Sequence, residues 1–331
     1  MTKIKKEFDM PYNSQISRTD ASPLIPQEVS NEIIKSVAET GTLMRLARRL
    51  PNMSAAQKRM PVLNAIAHAY FVSGDTGLKQ TSELDWTNKY LDAEELAVIV
   101  PIPEAVLDDS AYPIWDEVKP ELVAAINVAI TQAVLYGTNI PASWTTNLGA
   151  AGIIAGALAA GHNVSAAAYT DLYEAILGED AGGTSGLLGL LEDDGFMASA
   201  HLAYISMRRK LRNVRDADGK PIFLPSMQIR GQYDLDGAPC EFPLDGSLSS
   251  TYWLISGQWN QLVYSIRQDI TWKILTEAVI QDGSGAIIYN LAQQDMVALR
   301  AVIRLGVALP NPKNRMNQTD ATRFPFAYLT A

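Results

Sequence analysis

The chain has 331 residues, 47% of them hydrophobic and 19% charged, which suits one large globular domain or two and is too apolar for a disordered chain. Lys and Arg total 27 against 36 Asp and Glu, and the net charge of −9 argues against a protein built mainly to grip nucleic acid. A single cysteine, Cys240, excludes a disulfide framework and any multi-cysteine zinc or iron–sulfur centre, and three histidines leave little for metal chemistry.

The basic N-terminal stretch MTKIKKEFDMPYNSQ lacks a following apolar core, so it does not read as an export signal. The longest apolar stretches, 122–136 and 148–161, fall short of the ~18 residues that span a bilayer. The expectation is a soluble protein made inside the cell, with no membrane partner. The first 22 or so residues are polar and aperiodic and read as an arm. A short helix is predicted over 27–40, where Pro26 precedes it, Ile33, Ile34 and Val37 share a face, and Gly41 follows.

Two extended segments come next, 60–73 and 86–103, rich in β-branched and aromatic residues and separated by the polar turn-forming stretch GDTGLKQTSELD. A two-stranded arm of this length is marginal alone in water, so it must lie on something else, and a neighbouring subunit is the natural candidate. Tyr70, Phe71, Trp86, Tyr90 and Trp115 flank this region as core or interface aromatics. Pro113 and Pro120 can each open a helical turn. From Leu122 to Tyr136 no charged residue occurs, Asn127 and Thr131 form a narrow polar stripe, and Gly137 is placed to end a helix buried on most sides.

Residues 138–164 are rich in Gly, Ala, Asn and Thr and carry no clear period. Beyond them the pattern predicts a helix over 167–177 and an apolar run at 187–191 that suits strand or helix. A strand and then a helix follow within 197–214, a turn at 216–219, and strands at 253–256, 262–267 and 270–280. Last comes a long strand over 296–309. Its odd positions from Val297 to Leu309 are apolar, Arg300 and Arg304 lie on the other face, and Pro310 and Pro312 stop it.

Catalytic patterns are absent by spacing. Gly183–Leu187 lacks the closing glycine of a nucleophile elbow, and Gly74–Thr81 has the wrong spacing for a phosphate-binding loop. No second histidine stands at helical spacing from another. The expectation is no catalytic, cofactor or metal residue. His68 reads as a core or interface residue, Cys240 as a buried inert thiol, and Glu192-Asp193-Asp194 as a solvated acidic turn. Arg208, Arg209, Lys210, Arg212 and Arg215 form a basic run, read as solvated helix surface, inter-subunit contact or, least in keeping with the charge, a nucleic-acid contact.

Taken in order, these pieces resemble a family. The run from MPVLNAIAHAYFVS through VKPELVAAINVAITQAVLYGTN resembles the extended loop and spine helix of tailed-bacteriophage major capsid proteins with the Hong Kong 97 fold. RRKLRNVRDADGKPIF and DLDGAPCEFPL look like that family's axial domain, SGQWNQLVYSIRQDITWKILTEAVI like its strand pair, and QQDMVALRAVIRLGVALPNPKNRM like its closing strand. The similarity covers about 24–316.

The resemblance implies an α+β chain. It has an N-terminal arm at 1–41, an extended β-hairpin loop at 60–103, and a peripheral domain from 42–60, 100–160 and 286–316 with a spine helix at 113–137. An inserted axial domain at 165–285 and a C-terminal tail at 317–331 complete it. It implies a subunit of an icosahedral head, assembled in the bacterial cytoplasm, self-associating into pentamers and hexamers, enclosing DNA without reading its sequence, and located in the virion. About 23 residues precede Leu24, too few for the scaffolding domain many relatives carry, so a separate scaffolding protein, or none, is expected, with a portal and a decoration protein as further partners. Inter-subunit contact candidates are Lys79, Trp86, Arg208, Arg209, Arg212, Arg300 and Arg304. Some relatives join subunits by a lysine–asparagine isopeptide bond. Lys79 and Asn311, Asn314 or Asn317 are the candidates here, but the only carboxylate after Asp295 is Asp320, and shells held without covalent links are expected. Rival readings are an encapsulin-type nanocompartment shell and, more remotely, an acidic α/β enzyme.

Overall fold

A computed structural model describes residues 41–72, 77–79, 81–109, 114–179, 183–215, 218–222 and 233–331. The arm and its helix over 27–40, Pro113, and half of the 216–219 turn lie outside them. Contacts divide the chain into two compact units, whose described parts are 97–122 with 271–301, and 41–96 with 123–270 and 302–331.

In the larger unit, helix α1 (Thr42–Leu46) leads into the two-residue strand β1 (Arg48–Arg49), and a hairpin of β2 (Gln57–Ala65) and β3 (Asp85–Asp92) follows. The extended segment expected over 86–103 is two strands, because the chain breaks at Ala93 and continues as β4 (Glu94–Pro103) in a different sheet. Polar groups converge on that break. Ala93 N–H donates to Ala56 O at 2.8 Å, and Asp92 accepts from Trp144 Nε1 at its carbonyl (3.1 Å) and from Asn147 Nδ2 (3.0 Å) and Gln57 Nε2 (2.8 Å) at its carboxylate.

The short helix α2 (Glu104–Asp109) precedes the long helix α3 (Ile114–Tyr136), which carries Pro120 inside it. Val123, Ile126, Ile130, Val134 and Leu135 are buried, as are Asn127 and Thr131, so the polar stripe faces protein. The helix ends as expected at Gly137, whose φ of +72° suits a residue without a Cβ and whose N–H reaches back to Ala133 O. Because α3 begins well before the apolar run, Val118–Tyr136 is long and apolar enough to cross a membrane by length and composition, and half of that segment is buried inside the protein.

The stretch 138–164 holds two helices the sequence pattern did not reveal, α4 (Ala142–Leu148) and α5 (Ile153–Ala160), followed by β5 (Asn163–Ser165). Both helices are short and lack charge, α4 burying Trp144, Asn147 and Leu148 and α5 burying Ile153, Ile154, Gly156 and Ala157, so no charged face marks the period. The helix expected over 167–177 is a single 3₁₀ turn and then α6 (Leu172–Leu177), started by Asp171, whose Oδ1 accepts from Glu174 N–H at 2.9 Å. The 187–191 run is helix α7 (Leu187–Asp193), with Leu187 and Leu191 fully buried four residues apart. The expected strand-then-helix is β6 (Ala200–Ala203) and α8 (Ile205–Asn213).

A six-stranded sheet runs β5-β14-β9-β6-β8-β7, with β7 (Tyr233–Leu235), β8 (Ala238–Glu241), β9 (Tyr252–Gly257) and β14 (Phe326–Thr330). Residues 317–331, expected as a tail, thus include an inner strand. β14 pairs with β9 antiparallel and with β5 parallel, and buries Phe326, Ala327 and Leu329 completely. Helices α6, α7 and α8 share one core with this sheet. Trp259 donates Nε1–H to Ala200 O at 2.9 Å and meets Phe326 edge-on with centroids 5.0 Å apart.

A four-stranded sheet runs β1-β10-β13-β4. Its strand β10 (Val263–Leu275) is continuous through Arg267-Gln268-Asp269, where the sequence suggests a break, and β11 (Val279–Gln281) is separate. Strand β13 (Met296–Ala308) is as long as expected but buried on both faces, since Ala298, Val302 and Ala308 are as covered as the odd positions. In the smaller unit, β11 and β12 (Ile287–Asn290) form a hairpin, and Leu291, Met296 and Ala298 pack with Leu275, Ala278, Ile280 and Tyr289.

Candidate assembly surface

The β2–β3 hairpin has a fixed root and a bare tip. Its register runs from Gln57↔Asp92 to Leu63↔Trp86, then shifts by a bulge before Ala65↔Asp85. At the root, Leu91 packs with Met53, Val263 and Ala308 and is wholly buried. Gly306 of β13 lies beneath it, and a Cβ there would meet Asp92 O at 2.7 Å, so only glycine permits the approach. Lys313 N–H donates to Leu63 O at 3.3 Å, and Arg315 Nη1 to Ala67 O at 3.3 Å.

Past Leu63 the support thins to the buried Ile66 and the Arg315 contact, and beyond Ala67 it ends. The strand expected to run to residue 73 stops at Ala65, and 66–72 is irregular, held by His68 N–H donating to Ser82 Oγ at 2.7 Å. His68 is exposed within the chain, contrary to a core residue. Tyr70, Phe71, Val72, Leu78, Leu84, Trp86 and Tyr90 are exposed too, Trp86 at 59% and Leu78 at 91%. Lys79 is exposed among them. A row of large apolar side chains on a two-stranded arm is what a surface awaiting a partner presents.

The basic run lies on α8. Met207 and Leu211 are buried, which turns Arg208, Arg209 and Arg212 outward. Arg208 donates Nε–H to Tyr233 OH at 2.6 Å with its guanidinium 4.7 Å from the ring centre, and Lys210 Nζ stands 3.4 Å over Trp253. On β13, Arg304 Nε lies 3.9 Å from Glu95 of the same chain, and Arg300 is half-buried. The candidates therefore fall into three separate groups, Lys79 with Trp86, the α8 arginines, and the β13 arginines.

Sequence reasoning missed a buried polar centre. Asp194, expected in a solvated turn, is 5% exposed. Its carboxylate accepts from Phe324 N–H at 2.9 Å and Asn317 Nδ2 at 2.6 Å and lies 3.1 Å from His162 Nε2, while its carbonyl accepts from Asn314 Nδ2 at 2.6 Å. Arg323, also buried, donates to Asn311 O, Asn311 Oδ1, Asn317 O and Asp320. These groups clamp 311–324 and account for the asparagines after the closing strand. A cluster of Asn beyond a strand end was the available signal, and it points to backbone capping. Cys240 is buried as expected, and burial pushes its thiol up to about 12. Among the described residues no group of three His, Cys, Asp or Glu could hold a metal.

The family model for the phage capsid family matches residues 21–314. The chain belongs to that family. The curated major capsid protein of Staphylococcus phage 80alpha is 27% identical over 316 residues, covering 94% of this chain and 89% of the relative. A solved structure from Microbacterium phage Oxtober96 matches with a TM-score of 0.71 at 31% identity over 95% of this chain and 96% of its own, and one from Mycobacterium phage Adephagia with 0.69 at 29% over 88% and 89%. The chain is thus a structural subunit of a phage head shell, with the α+β Hong Kong 97 fold, and its place is the virion capsid. In a capsid subunit the working surface is the one that meets other copies, and among the described residues the hairpin tip carries a run of exposed large apolar side chains.

Proposed function

We propose that this capsid subunit builds an icosahedral head of pentamers and hexamers enclosing DNA, with the hairpin of one copy laid over the next. The observation that carries this reading is the contrast along the hairpin, a root packed on β13 and a tip whose aromatics are bare. Burying such side chains contributes about 1.5–3 kcal/mol each, enough for a handful to hold a contact. On this reading 60–103 is the extended loop. The peripheral domain is 42–60, 100–160 and 286–316, the axial domain is 165–285, and 1–41 and 317–331 flank them. Lys79 and Trp86 contact the neighbour through the hairpin, and Arg300 and Arg304 through β13. The role is structural without catalysis or cofactor. A separate scaffolding protein, a portal and a decoration protein complete the head.

Negative-stain microscopy of the overexpressed chain, alone and with the scaffolding protein, tests it. Closed shells are expected. A stable monomer under all scaffold and salt conditions would overturn the proposal, and shells filled with a cargo enzyme would favour the encapsulin-type reading.

A further inference from the structure

Charge is segregated in this chain. Between Asp171 and Asp194 there are seven carboxylates and no Lys or Arg, whereas 208–215 holds five bases and no acid. Both blocks are built on the same core, since α6 and α7 bury Ala175, Ile176, Leu187, Leu188 and Leu191 where α8 buries Met207 and Leu211. Asp171, Glu179, Glu192 and Asp193 are exposed on the first, and Arg208, Arg209, Arg212 and Arg215 on the second.

The bases are not satisfied by acids of their own chain. Among the described residues none of the five forms an ion pair, although acids outnumber bases 36 to 27. Two arginines are instead held through Nε. Arg208 donates Nε–H to Tyr233 OH at 2.6 Å, and Arg212 donates Nε–H to Arg208 O at 3.3 Å. Each anchor fixes the plane of a guanidinium and leaves the two η nitrogens for an external oxyanion. A planar fork held in this way loses little freedom on receiving a carboxylate through two hydrogen bonds.

We infer that the α8 face, centred on Arg208 and Arg212, receives carboxylates of the α6–α7 segment of a second copy in a head-to-tail contact. This rests on the shell reading above. A head-to-tail interface joins two different patches of the same chain and closes into a ring, and separated acidic and basic patches are what such a contact needs. A same-patch contact would set base against base. Phosphate would fit the forks too, but a chain with net charge −9 repels a polyanion over most of its surface, whereas every added copy brings the acidic block with it.

The test uses the full chain under the conditions that give wild-type shells. In Arg208→Glu/Arg212→Glu, with the melting profile of the wild type, shell yield falls at least tenfold. Adding Glu192→Arg/Asp193→Arg to the same chain restores it. The milder Arg208→Gln/Arg212→Gln serves if the first variant melts early, and should lose most of the yield's sensitivity to salt between about 0.05 and 0.5 M, a range over which exposed pairs are progressively screened. Wild-type yield from either variant, or a loss that the acidic reversals do not restore, overturns the inference. So does a loss that goes with abolished binding of a short DNA duplex, which would assign the face to phosphate. Absence of shells from the wild type would instead sink the shell reading itself.

Discussion

The six-stranded sheet and the β2–β3 hairpin are made of similar material and reach opposite ends. Both are β-branched and aromatic, and both contain long-range strand pairs. The sheet finds its second layer inside the chain, where α6, α7 and α8 cover it and leave Ala203, Leu254 and Leu329 fully buried. The hairpin finds one only toward its root, where Val62 and Leu91 are its buried strand residues, and beyond the buried Ile66 the described residues have none. Strand propensity decides that both are extended, but burial decides which is stable alone, because two strands without a covering layer hide too little apolar area to offset the entropy of ordering them. The sheet region carries its stability within the subunit, and on the proposed reading the hairpin tip takes its own from the assembly.

The comparison breaks most visibly at the polar centre that closes the sheet. Asp194→Ala leaves the buried Phe324 N–H without an acceptor and the buried His162 without its carboxylate, reduces Asn317 Nδ2 to its bond with Thr322 Oγ1, and should cost about 3–5 kcal/mol. Loss of the cooperative melting transition at the wild-type temperature would be the measurement, and an unchanged midpoint would show that 311–324 is held by other means. Phe326→Ala, which removes the ring packed edge-on against Trp259 and tilted against Phe324 from an inner strand, should cost about 3–4 kcal/mol by denaturant titration.

A smaller effect comes from His201. Its Nε2 donates to Leu235 O at 3.0 Å, its Nδ1 meets Ser256 Oγ at 2.8 Å, and burial holds its pKa below the usual 6.5. The unfolded chain therefore takes up a proton near pH 6.5 while the native ring stays neutral. This contribution is complete above pH 6.5 and is lost as pH falls through the lowered native value. Melting midpoints from pH 8 to 5 should fall, and His201→Gln, whose amide does not titrate, should flatten that slope.

At the other end of the scale, Phe71→Ser/Trp86→Ser should change subunit stability by less than about 0.5 kcal/mol, because neither ring touches a core. The same pair should abolish shells, or reduce them to open fragments by sedimentation. A large drop in melting temperature with normal shells would reverse the assignment of the two regions. The asparagines sharpen the picture last. Asn311, Asn314 and Asn317 have their amides engaged within the chain, so mature particles boiled in detergent should give one band near 36 kDa. A ladder abolished by Lys79→Ala would show covalent joining.

The long elements were legible without coordinates. An uncharged run from Leu122 to Tyr136 ended by Gly137 specifies a buried helix, and seven alternating apolar positions from Val297 to Leu309 specify a strand, because a period sustained over that many residues suits only one secondary structure. The order of such elements carried the resemblance to capsid proteins. Short elements were not legible. α4, α5 and α7 are each eight residues or fewer, and a leucine run such as 187–191 fits either period until a layer is placed against it.

What the sequence determined by itself was the exclusion of metal-cluster and disulfide chemistry, the long helix and long strand, and an arm with too little of its own to pack on. Tertiary structure alone decided that Asp194 is a buried acceptor for three N–H groups beside His162, that the last residues form an inner strand, and that Arg304 lies near Glu95. The reason is range. Periodicity, capping and turn chemistry act over a few residues and are written in local composition. Whether a carboxylate is solvated or buried depends on groups 120 to 130 positions away, such as Asn314 and Phe324, and no local pattern records which of the many distant donors will arrive.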